Sequence, residues 1–159
     1  MSLFHGNDPA RWQPQVSTYA NVDLGAVWPG IGVTLKAYGK QVEKVFTVEP
    51  GAAPETIRVR AAGAQSLTVA ADGGLAVHTG VGDVRLTPPV AYQEIAGTRR
   101  MLDAAYMVAG DQYGFHLSGY DPTRPVVTWN VHRQPATYTS PVVGAIARAK
   151  ASSKPLPPR

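Results

Sequence analysis

The chain has 159 residues, 44% of them apolar and only 16% charged, which suits one domain with a real hydrophobic core. It has no cysteine, so disulfides, thiolate metal sites and a cysteine nucleophile are excluded. The net charge is +4, too small to mark a nucleic-acid-binding body, and no apolar run approaches the roughly 18 residues that span a bilayer as a helix.

The opening MSLFHGNDPARW has neither the basic nor the apolar region of a signal peptide. It implies either a cytosolic protein or an export signal outside this chain. Asn7-Asp8-Pro9 predicts one short helical turn over Asp8 to Trp12, because Asp can cap and Pro suits the first turn. Val16 to Val27 reads as a strand pair or one long strand. Trp28-Pro29-Gly30 turns it, and Ile31 to Tyr38 alternates apolar and polar as a half-buried strand does. Gly39-Lys40 leads into Val42 to Val48. Pro50-Gly51 and Pro54 then form a corner before a strand over Ile57 to Arg60.

Short strands follow at Leu67 to Ala71, Leu75 to Thr79 and Val84 to Thr87. They are joined by Asp72-Gly73-Gly74, where glycine accepts positive φ, and by Gly80-Val81-Gly82-Asp83. Pro88-Pro89 breaks the ladder before Val90 to Ile95. Arg99 to Val108 contains good helix formers, yet Gly97 and Gly110 bracket an arm of hairpin size, so strand is favoured. Tyr113 to Leu117 and Arg124 to Asn130 complete the pattern. The reading is an all-β fold: an antiparallel β-sandwich, or a partly open barrel, of many short strands over residues 1–130.

Residues 131–150 form a weakly patterned extension, in which Val142 to Ala149 is a short helix or an added strand. Residues 151–159 read as a disordered tail. Arg148, Lys150, Lys154 and Arg159 lie at this end without an acid. Taking them from the 15 basic residues leaves 11, equal to the 11 acidic ones. The basic character therefore belongs to the tail, read as solvated chain in preference to a polyanion-binding arm.

The segments GNDPARW (Gly6 to Trp12), WPGI (Trp28 to Ile31), FTVEPGAAPETIRVR (Phe46 to Arg60), Gly63 to Gly97 and YGFHLSGYDPTRPVV (Tyr113 to Val127) occur in a specific order. In this the chain resembles an uncharacterised β-rich domain that precedes SBBP-type β-propeller repeats in bacterial secreted or surface proteins. The resemblance covers Phe4 to Val127. It implies an extracellular or cell-surface setting and an all-β fold, and it carries over no catalytic residue. The chain opens close to the GNDP segment and ends in a Pro-rich tail without the propeller repeats, so it reads as a fragment, an excised domain or a stand-alone relative.

Residue chemistry is sparse. His5, His78, His116 and His132 have no metal-ligand spacing, and alternation places His78 and His116 on the solvent face. Asp72, Asp83, Asp111 and Asp121 fall at turns, where Asp bonds its own backbone; Glu49 and Glu55 flank the Pro50–Pro54 corner. No cofactor or metal site is expected. The aromatics allow a sugar-stacking platform from Trp12, Trp28 and Trp129, although packing is the favoured role. Uncovered edge strands invite pairing with a protein partner, a neighbouring domain or a second copy, and Val142 to Ala149 is a candidate donated strand. The functional expectation is a non-catalytic structural, adhesive or interaction module. Its alternatives are a carbohydrate-binding module using exposed Trp and Tyr, and a fragment of a secreted enzyme.

Overall fold

The structure, a computed structural model, describes residues 19–38 and 41–133. Within them eleven strands form one antiparallel sheet curled into a half-barrel. They are β1 (Asn21–Trp28), β2 (Ile31–Tyr38), β3 (Gln41–Val48), β4 (Val59–Arg60), β5 (Ala64–Val69), β6 (Leu75–Thr79), β7 (Gly82–Leu86), β8 (Val90–Ile95), β9 (Thr98–Ala109), β10 (Gln112–Ser118) and β11 (Val126–Arg133). Of the two architectures expected, the partly open barrel is the one formed. The helical turn over Asp8 to Trp12, the Val142 to Ala149 segment and the tail lie outside the described residues.

The main path runs β1-β2-β3-β11-β8-β9-β10-β4. A branch leaves it at β11, because that strand shares one edge between two neighbours. Val127 to Trp129 pair with β8, whereas His132 and Arg133 pair with β7, which continues into β6 and β5. Between β7 and β8 the chain passes Pro88-Pro89, which have no N–H to give a ladder. Thr87 keeps the strand attached there. Its N–H donates to the Val131 carbonyl at 3.0 Å. Its hydroxyl accepts the Val131 N–H at 3.1 Å. Its own carbonyl receives the Tyr106 hydroxyl at 2.8 Å. The sheet folds at this corner, and the β5–β7 arm turns in toward β9.

Alternation sends one face of most strands inward. Ile31, Val33, Phe46, Val48, Leu67, Leu75, Leu86, Ala91 and Val126 are buried there. Phe115 sits at the centre, 5.1 Å from Phe46 and 5.7 Å from Tyr106 between ring centroids. Burial, and then the neighbouring Tyr113, push the Tyr106 phenol well above its ordinary range, while Asn130 beside it pulls the other way.

The Phe46–Arg60 segment departs from the strand-turn-strand expectation. Pro54–Thr56 form a single 3-10 turn, Ile57 plugs the core at 0% exposure, and only Val59–Arg60 remain as strand. Gly114 explains this: the Ile57 carbonyl lies where a Cβ on Gly114 would stand. The backbone of the turn thus occupies the side-chain space of β10. Two further bounds differ. β1 includes Trp28, which was expected in the turn, and the Gly80-Val81 turn spans two residues, so Asp83 is in a strand.

Behind β8, Gln93 is fully buried and holds the Ser118–Val126 connection. Its amide donates to the Asp121 and Arg124 carbonyls at 2.8 and 3.1 Å and accepts the Asp121 N–H at 2.8 Å. Removing such a side chain orphans buried backbone groups at about 1–3 kcal/mol each. Gln93→Leu should therefore lower unfolding stability by at least about 2 kcal/mol, and Thr87→Val by about 1–3 kcal/mol, as read from urea midpoints at unchanged slope.

Candidate functional site

The outward face of the sheet carries more apolar side chain than a solvent face needs. Register sets Val45 of β3 beside Trp129 of β11, and Trp129 beside Val90 of β8. One step along, Val127 stands beside Tyr92, and Tyr92 beside Met101 of β9. These residues form a contiguous patch across four strands. Met101 is 60% exposed. The Tyr92 and Trp129 rings meet edge to face, with centroids 5.7 Å apart and planes at 76°. The Arg99 guanidinium lies over the Tyr92 ring at 4.7 Å, in cation–π range. A shallow hollow of about 160 Å³ opens here, bounded also by Lys36 and Glu43. Charge sits at two opposite corners: Lys36 across from Glu43, and Glu94 across from Arg99.

The three tryptophans do not share a platform. Trp129 is at the centre of this patch. Trp28 packs on the opposite, inner face against Phe46, at 6.3 Å between centroids. Trp12 lies outside the described residues. Tyr106 and Tyr113 are core residues, and Tyr120 packs against the core edge, where burial, then Glu55, raises its phenol pKa.

The β5–β7 arm carries a second grouping. His78 Nδ1 lies 2.9 Å from Asp83 Oδ1, and His78 Nε2 lies 2.8 Å from the Thr68 hydroxyl. Asp83 thus reaches across the hairpin and does not bond its own turn. Asp111 also bonds beyond its own turn, meeting Arg60 Nε of β4 at 2.5 Å. Asp72 and Asp121 do bond their own turns, accepting the Gly74 and Thr123 N–H groups at 2.9 Å each. The Thr123 bonds, hydroxyl and backbone, hold the Asp121 carboxyl below its ordinary value. His116 is exposed. Among the described residues no three His, Asp or Glu side chains group as metal ligands.

Inside the half-barrel, β11 presents a polar stripe that composition gave no reason to expect. Thr128 donates to the Val90 carbonyl at 3.1 Å. Asn130 is 0% exposed with neither amide atom hydrogen-bonded, and His132 is 7% exposed with Nε2 unpartnered.

An all-β half-barrel with an apolar outward patch is the class of domain that these observations define. The chain belongs to the family described as Domain of unknown function (DUF7948), which matches residues 1–128. No curated protein and no solved structure matches it. No helix among the described residues is long and apolar enough to cross a membrane.

Burial, and then the nearby Lys44 charge, hold His132 below its ordinary value of 6.5. The unfolded chain therefore takes up this proton first as pH falls through 6.5, and folding stability declines from that point downward. His132→Leu should flatten this decline in urea unfolding measured over a pH series.

Proposed function

We propose that the chain is an interaction module of a bacterial secreted or cell-surface protein. The setting rests on its resemblance to domains that precede SBBP-type propeller repeats. The binding role rests on the patch of Val45, Val127, Trp129, Tyr92 and Met101, a contiguous apolar surface on the side of a sheet that faces water. Its occupant is a second copy of the chain. A two-fold axis in the plane of the sheet sets one copy's Lys36–Glu43 corner over the other's Glu94–Arg99 corner, so each end offers both signs to both signs. The edge strand β1 is less suited to pairing. Asp23 accepts the Gly25 N–H at 2.8 Å, Gly25 has φ +68°, and the register breaks on both sides of Ala26. Such a kink blunts an edge.

The carbohydrate-binding alternative draws on the same Trp129–Tyr92 pair. Against it, Arg99 covers one face of Tyr92 and the two rings stand edge to face. Sedimentation equilibrium decides between them. Concentration-dependent dimers, weakened at least about tenfold by Met101→Glu and by Trp129→Ala, support the reading. A strict monomer that binds glycans on an array, and loses them with Trp129→Ala, replaces it with the carbohydrate reading.

A further inference from the structure

A second site lies on the β5–β7 arm, and it goes beyond the binding role of the outward patch. Thr68, His78 and Asp83 form an unbroken hydrogen-bond chain across three adjacent strands. An ionised carboxylate can only accept, so Asp83 draws the proton of neutral His78 to Nδ1. This leaves the Nε2 lone pair to accept the Thr68 hydroxyl hydrogen, 2.8 Å away between heavy atoms. A hydroxyl on an imidazole, with the imidazole oriented by a carboxylate, is the arrangement that activates an oxygen nucleophile.

The surroundings fit the same chemistry. A hollow of about 310 Å³ opens at the Asp72–Gly74 end of the same arm, lined by Asp72, Ala76, Arg85, Leu86 and Pro88 among others; it shares Ala76 and Arg85 with the face that carries Thr68 but does not include the three bonded side chains. Thr68 stands opposite Ala76, and Ala76 opposite Arg85. Thr68 and Arg85 are therefore two strands apart on one face, about 10 Å between backbones. An arginine side chain spans much of that distance and can donate to an oxygen that gains charge beside Thr68.

We propose that Thr68, His78 and Asp83 form an acyl-transfer site for small carboxylic esters. The Thr68 O–H bond breaks and its proton passes to His78 Nε2 as Oγ bonds to the acyl carbon. The bond from acyl carbon to leaving oxygen then breaks, and that oxygen takes the proton from His78. Water reverses the sequence: His78 accepts its proton, the carboxylic acid leaves and the Thr68 hydroxyl is restored. No electrons enter or leave. Arg85 stabilises the oxyanion.

The full chain incubated with p-nitrophenyl acetate tests this. Expected are a burst of p-nitrophenol and an acetyl group mapped to Thr68 by peptide mass spectrometry. Thr68→Val should abolish both, and Thr68→Ser should restore them. His78→Gln should slow the burst by about 10²-fold or more. Arg85→Gln should slow it by a similar factor with the hydrogen-bond chain intact. Circular dichroism of each variant checks that the fold is kept. No adduct on Thr68, or a burst that survives Thr68→Val, overturns the proposal. So does a wild-type chain that stays unacetylated while Thr68→Val merely lowers its melting temperature, since that would leave the three side chains a purely structural link.

Discussion

Everything in this half-barrel depends on how β11 is held along its second edge. One strand serves two neighbours that diverge, and the junction falls on Pro88-Pro89, where the backbone has no N–H to offer. Thr87 supplies the substitute. Its side chain and main chain together bond both polar groups of Val131, and Tyr106 ties the corner to the opposite wall. That clasp extends the short β7–β11 pairing of Leu86 with His132 and Arg85 with Arg133, which among the described residues joins the β5–β7 arm to the rest of the sheet, since β5 pairs with β6 and β6 with β5 and β7. Leu67, Leu75 and Leu86 reach the core through it.

The two faces of the sheet invert the usual division of labour. Its inner face is apolar at the centre yet holds Thr128, Asn130 and His132 in one line along β11. Its outer face carries Trp129 between two valines at the positions alternating with those polar residues. A strand that reads Thr-Trp-Asn-Val-His puts its polar residues in and its apolar ones out. Buried amides and imidazoles are costly when unpaired, so this inversion works against stability while it leaves apolar side chains on the outward face.

Local features were legible in the sequence and distant ones were not. The Asp72-Gly73-Gly74 turn follows from three consecutive residues, with Gly73 at φ +80° as glycine permits. Arg99 to Val108 was legible as strand because the glycines around it bounded a hairpin arm, and β8 and β9 do pair through Ala96-Gly97. Ile57 was misread because its place is set by Gly114, far along the chain. The neighbours of Trp129 were hidden for the same reason: pairing of β11 with β3 and β8 leaves no periodic trace. His78 and Asp83 are a different case. Their signal was local, since a two-residue turn at Gly80-Val81 places them directly opposite. Reading the turn as four residues moved Asp83 out of the strand and concealed the pair.

The position of β11 also bears on where this domain begins to exist as a folded object. Among the described strands it is the last to be synthesised, yet it lies in the middle of the sheet. A chain emerging from the ribosome therefore holds β1–β3, β5–β7 and β8–β10 with β4 as three separately paired systems until the final strand arrives to join them. The family match stops at residue 128, partway through that strand. Cutting there removes Trp129 to Arg133, including the residues that pair with β7 and the Val131 that receives Thr87. The pairing that joins β11 to β7 therefore lies beyond the limit of family similarity.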